Sequence, residues 1–198
     1  MHARIGQLST DTKLLTAGPN KFSSLCLKPE GIFIDLQMNG KTALVIGGSA
    51  GIGKAIAFAL AREGVDVAIC ARRKEPLEAA ASQIARETNR KIVPISTDLT
   101  KPADAEAFVK EAHSALGRID ILVNNAGSAP GGVLDFLTEE DWAQSLQLKF
   151  MGYVRCLKHV LPIMQRQGRG RVVNLIGNDG VKPSGRLRPV LQMRPGKT

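Results

Sequence analysis

Apolar and polar positions change period repeatedly between residues 41 and 176. Lys41–Ile46 (KTALVI) is a short apolar run of the kind that forms a buried strand. Lys54–Arg62 (KAIAFALAR) then spaces its apolar residues as a helix does. The same alternation recurs down the chain. It predicts strands over 65–70 (VDVAIC), 91–95, 119–123 (IDILV) and 171–176 (RVVNLI), and helices over 52–63, 74–88, 102–115 and about 139–167. Thr138, with Asp141 three residues on, marks the start of the last helix and puts acidic residues in its first turn. Pro162 is expected to bend that helix rather than end it. Strand–helix units of this length imply a parallel sheet with helices on both faces, an α/β fold.

The flanks lack this pattern. Residues 1–30 show no periodicity, contain Gly18-Pro19 and Pro29, and read as disordered. A targeting signal is disfavoured there, because Arg4 is the one arginine and no amphipathic face is evident. Met38, just ahead of Asn39-Gly40-Lys41, reads as a native start. The expected organisation is a leader over 1–37, a nucleotide-binding domain over 38–182 and a basic disordered tail over 183–198.

Charge follows the same division. Residues 31–165 carry 15 basic and 15 acidic side chains, whereas 166–198 carry 8 basic residues against Asp179 alone. The basic balance therefore belongs to the ends, and a solvated tail explains it better than a nucleic-acid partner does. No apolar run is long enough to span a bilayer, so no membrane partner is expected. Cys26, Cys70 and Cys156 show no metal or redox spacing, and their odd number argues for free thiols in a reducing, cytoplasmic setting. His2, His113 and His159 are scattered and read as solvated or packing residues.

The candidate chemistry starts at Gly47-Gly48-Ser49-Ala50-Gly51-Ile52-Gly53, between the first strand and the first helix. A glycine-rich turn that opens a helix presents backbone N–H groups and the positive end of the helix dipole to a phosphate. Its Gly-x-x-x-Gly-x-Gly spacing differs from the Gly-x-Gly-x-x-Gly fingerprint. Three further segments follow in order: Asp98-Leu99 after the third strand, Asn124-Asn125-Ala126-Gly127 after the fourth, and Trp142 with Leu161-Pro162 and Gly170–Asn174 around the last helix and strand.

With these four elements, residues 39–182 resemble the short-chain dehydrogenase/reductase family. The resemblance implies a Rossmann-type doubly wound parallel sheet of order 3-2-1-4-5, incomplete at its C-terminal edge. It implies a nicotinamide dinucleotide held by Gly47, Ser49, Ala50, Gly51, Ile52, Gly53, Arg72, Arg73, Asp98, Leu99, Asn125, Ala126 and Gly127. It also implies a small carbonyl or alcohol substrate. NADP is expected over NAD. Where a ribose-binding carboxylate would select NAD stands Ala71, followed by Arg72-Arg73, and a guanidinium fork suits a 2′-phosphate.

The chain departs from the family in its chemistry. The family's catalytic Asn, Ser and Tyr positions fall on Lys149, Ile176 or Gly177, and Val190, and its Lys is missing. Tyr153 lies on a different helix from the family's tyrosine, with Leu157 rather than Lys four residues later. No catalytic residue is therefore assigned. The abrupt change at Gly185–Thr198 reads as a truncation or a shifted frame. The alternative to an oxidoreductase is a catalytically inactive nucleotide-binding domain, and the open edge of the 171–176 strand is expected to promote self-association.

Overall fold

A computed structural model describes residues 36–127 and 137–177. Five strands, β1 (Thr42–Ile46), β2 (Asp66–Ala71), β3 (Ile92–Ser96), β4 (Ile121–Asn124) and β5 (Arg171–Asn174), form a wholly parallel sheet of order β3-β2-β1-β4-β5. Helices α1 (Gly51–Arg62), α2 (Lys74–Thr88), α3 (Pro102–Leu116), α4 (Glu139–Leu146) and α5 (Gly152–Arg166) connect them. The sheet order is the one expected from the sequence.

The period-2 alternation of β1 divides the core. Ala43 and Val45 pack with Ala57, Leu77 and Ile84 of α1 and α2, while Leu44 and Ile46 pack with Phe108, Val160 and Met164 of α3 and α5. All five residues of β1 are buried. A continuous apolar strand covered on both faces is what a central parallel strand requires.

The helix expected over about 139–167 forms as one unbroken run from Glu139 to Arg166, but its pitch changes along the way. It is α4, then a π-helical turn over Gln147–Met151, then α5. The change of pitch lies well before Pro162, which sits within α5 and does not end it. The start was legible: Thr138 Oγ1 accepts from Asp141 N–H (3.2 Å), and Asp141 Oδ2 accepts from Thr138 N–H (3.1 Å), a reciprocal capping box.

Every strand's bounds shift from the expected ones by a residue or two, and two of the shifts have a visible cause. Ile119 was expected in β4, but both its backbone groups bond the side chain of Gln167, at 3.0 Å and 2.7 Å, in place of a neighbouring strand. β5 ends at Asn174 rather than 176 because β4 ends at Asn124, whose carbonyl accepts one last bond from Leu175 N–H. Among the described residues β5 pairs with β4 alone, and Val172 and Val173 are exposed.

At the N-terminal edge of the sheet, buried Asp120 ties three strands together. Its Oδ2 accepts from Thr42 N–H at 3.1 Å and from Arg118 Nε at 2.8 Å, and its Oδ1 accepts from Arg118 Nη2 at 2.6 Å. Arg169 Nε lies 3.5 Å away, and Arg171 N–H bonds the Asp120 carbonyl at 2.8 Å. Burial works to raise the pKa of Asp120. The bonds from Arg118 and Thr42, with the charges of Arg118 and Arg169, outweigh it and hold the carboxyl below the usual range. The group therefore stabilises the fold above the unfolded carboxylate pKa of about 3.9, and the contribution is lost as pH falls through the lower folded value. Asp120→Ala is expected to lower stability at pH 7 by about 1.5–3 kcal/mol in urea unfolding, discounted for the partial exposure of Arg118. That difference should shrink as pH falls below about 4.

Candidate functional site

The parallel register sets the C-terminal ends of β1, β2 and β4 level, with Ile46 beside Cys70 on one side and Asn124 on the other. Chain order reverses between β1 and β4, and the crevice beyond such a reversal is where open α/β sheets bind ligands. The glycine turn occupies this point. Gly47 and Gly48 N–H both donate to the Cys70 carbonyl, at 2.9 Å and 3.1 Å, which pins the turn to the end of β2.

Two glycines in the turn are required for different reasons. Gly51 has φ +55°, and a Cβ there would meet nothing within 4 Å, so open space lies before the first turn of α1. At Gly53 a Cβ would lie 2.1 Å from the Gly47 carbonyl oxygen and 2.5 Å from Asn125 Nδ2. Only a residue without a Cβ lets the helix start pack this tightly on the turn. Ala50 stands at the N-cap with no side-chain acceptor, and the first turn of α1 contains no acidic residue. The positive end of the helix is thus left without an anionic partner of its own.

A cleft of about 900 Å³ opens over these strand ends. Gly47, Ser49, Ala50 and Ile52 line its β1 side, and Ile52 is 65% exposed. Arg72 and Arg73 line it beyond β2, Leu99 beyond β3, and Asn125, Ala126 and Gly127 beyond β4. Gly51 and Gly53 shape the turn without lining the cleft. Asp98 does not line it either: its Oδ1 accepts from Thr100 N–H (3.1 Å) and Oγ1 (2.8 Å). Burial raises the pKa of Asp98, but the Thr100 bonds and the charges of Arg72 and Lys101 bring it below the ordinary value. Asn125 Nδ2 donates to the Gly47 carbonyl at 3.3 Å, so its side chain braces the turn.

Sequence reasoning missed several walls. Cys70, Thr97, Leu148 and Leu175 also line the cleft, and no motif marks them; Ala71, Ile176 and Gly177, noted in the sequence only as departures from the family's pattern, line it as well. Gly48 was not singled out, yet a Cβ there would lie 2.6 Å from Ile69 Cβ. Its signal was only adjacency to Gly47.

Lys149, on the π-helical turn, reaches the β4 end of the cleft. A Cβ on Gly127 would lie 2.9 Å from its Cδ and 3.0 Å from its Nζ. Its ammonium stands 5.8 Å from the centroid of the Tyr153 ring, and burial lowers its pKa. The buried Tyr153 hydroxyl donates to the Leu175 carbonyl at 3.3 Å, and burial pushes its pKa up to about 12. Cys70 and Cys156 are free, buried thiols. Burial and Cys156 raise the pKa of Cys70, and burial takes Cys156 up to about 12, so neither is a nucleophile at neutral pH. Three cations, Arg72, Arg73 and Lys149, line the cleft, and no carboxylate does among the described residues.

A second groove, of about 440 Å³, contains His113, Arg118, Arg166 and Arg169 near the ends of α3 and α5. The C-terminal dipoles of those helices and the carboxylate of Asp120 offset its charge. The basic tail over 183–198 lies outside the described residues.

The sequence profile of the short chain dehydrogenase family matches residues 41–188. An uncharacterized oxidoreductase of Bacillus subtilis strain 168, YvrD, is 35% identical over 152 residues, covering 76% of this chain and 56% of its own length. L-sorbose reductase from Gluconobacter frateurii, complexed with NADPH and L-sorbose, superposes with a TM-score of 0.73 at 30% identity, over 77% of this chain and 58% of that one. NAD+-bound xylitol dehydrogenase superposes with a TM-score of 0.71 at 32% identity, over 75% of this chain and 57% of that one. The chain thus spans a little over half the length of each of these relatives.

The two glycine positions are separable by mutation. Gly51→Ala should cost about 1 kcal/mol for left-handed backbone in open space. Gly53→Ala should reach or exceed the top of the roughly 1–3 kcal/mol range for overpacking, because backbone must move. Thermal melts of the two variants check this order.

Proposed function

Because the chain belongs to the short-chain dehydrogenase/reductase family, we propose that it binds NADP(H) in the strand-end cleft as part of an oxidoreductase interconverting a carbonyl and a secondary alcohol. The observation that carries this reading is the glycine turn pinned on Cys70, which leaves an unpartnered helix N-terminus facing a cleft with arginines on one side. The volume and the absence of a lining carboxylate among the described residues fit a dinucleotide polyanion.

In this reading the α1 N-terminus with Ser49 and Ala50 holds the pyrophosphate, and Gly47, Gly51 and Gly53 keep the backbone close to it. Arg72 and Arg73 take the 2′-phosphate. Leu99 packs on the adenine, and Asp98 fixes the loop that carries it. Ile52, Asn125, Ala126 and Gly127 form the walls toward the nicotinamide half. Bound there, the cofactor supplies or accepts a hydride. The domain boundaries are 38–182, and the buried free thiols fit a cytoplasmic protein.

NADP is preferred to NAD on the strength of Arg72 and Arg73 alone, since the similar structures include both NADPH- and NAD+-bound proteins. A second reading, binding without turnover, draws support from Tyr153. Its hydroxyl is committed to the Leu175 carbonyl and its pKa is raised, the opposite of a poised acid. NADPH oxidation across a panel of aldehydes and ketones separates the readings. Turnover on the order of 1 s⁻¹ supports the enzyme, and its absence with intact NADPH binding supports the second.

Replacing Arg72 and Arg73 together by Ala should weaken NADPH by about 1.5–3 kcal/mol while barely changing NADH, measured by fluorescence titration. Equal weakening of both nucleotides contradicts the assignment of the arginines.

A further inference from the structure

We infer that Lys149 recognises a negatively charged group, a carboxylate or a phosphate, on the substrate; this rests on the cleft being the oxidoreductase site proposed above. Lys149 is half-buried, and it has no ion pair or hydrogen bond among the described residues. Its ammonium stands 5.8 Å from the centroid of the Tyr153 ring, near the limit for a cation–π contact. Partial removal from water disfavours the ammonium, consistent with its lowered pKa, and no acid among the described residues compensates it. Many lysines escape this cost by carrying the amine outward to solvent. Here the side chain lies instead over Gly127, where only the missing Cβ leaves room, and the amine faces the cleft.

The nucleotide alone does not account for it. Arg72 and Arg73 follow β2, whereas Lys149 lies over the segment after β4, and β1 stands between those strands. Two inter-strand spacings, roughly 10 Å, separate the ends of those strands, and the helix N-terminus assigned to the pyrophosphate stands between them. The cleft therefore has two cationic poles. The β2 pole is assigned to the 2′-phosphate, and the β4–β5 pole is left for an anion that arrives separately.

The test uses the full chain saturated with NADP+ and two matched ligand pairs: 2-oxobutyrate against 2-butanone, and hydroxyacetone phosphate against hydroxyacetone. Dissociation constants are read by calorimetry or ligand-observed NMR. The anionic member of at least one pair should bind about tenfold or more tightly, and which pair responds distinguishes carboxylate from phosphate. Lys149→Met should abolish that preference, and Lys149→Arg should retain it. Lys149→Gln replaces the Met variant if melting shows that Met disturbs the fold. Equal binding of anionic and neutral members overturns the inference, as does a preference that survives in Lys149→Met. So does a Lys149→Met variant that loosens NADP+ itself to the same extent, since the lysine would then serve the cofactor. Failure of the wild-type chain to bind NADP+ overturns the proposed function instead. The ligand pairs titrated into nucleotide-free protein would still read the role of Lys149.

Discussion

The site depends on the parallel register of β1 with β2, which brings one carbonyl, that of Cys70, under two successive amides of the glycine turn. A turn with free backbone has many conformations. Two hydrogen bonds onto a rigid, fully buried strand end select one of them. The Asn125 amide adds a third hold from β4, through the Gly47 carbonyl. The turn is thus fixed by strands on both sides of β1, and α1 starts at a defined place above the sheet. What the cleft can bind follows from that placement, because the helix N-terminus and the arginines after β2 are rigidly related through the sheet.

The opposite end of the sheet is organised by charge. Asp120 replaces missing ladder partners at the start of β4, where Gln167 does the same for Ile119. These side chains hold β1, β4 and β5 in register from below while the glycine turn closes them from above. A carboxylate this buried is sustained by Arg118, which makes the stability of the fold pH-sensitive at a point remote from the cleft.

Most of this architecture was legible because the local signals agree. The apolar run of β1, the glycine spacing and the Thr138–Asp141 cap each point to the element that forms. What was illegible depends on contacts between distant residues. Nothing near Gly48 announces Ile69 beneath it, and nothing near Ile119 announces that Gln167 will stand in for a strand. The π-helical turn at Gln147–Met151 changes the pitch of the long helix upstream of Pro162, and only Gly152 at its end hints at it in the sequence. π-turns are frequent at functional positions, and this one carries Lys149. Asp98 and Asn125 were grouped with the cofactor residues by motif. Asp98 Oδ1 accepts from Thr100 and Asn125 Nδ2 donates to the Gly47 carbonyl, so both side chains also hold the loops they stand on, and Asn125 lines the cleft besides.

The most direct test of the central claim, that the pinned glycine turn and its cleft form the dinucleotide site, is an NMR titration of the isotope-labelled chain with NADP+. The account predicts saturable amide shifts concentrated at Gly47–Gly53, Ala71–Arg73 and Asn125–Gly127, with the N–H groups at the start of α1 moving most. Shifts confined to the basic groove around Arg166 and Arg169, or no saturable shifts at all, would contradict it.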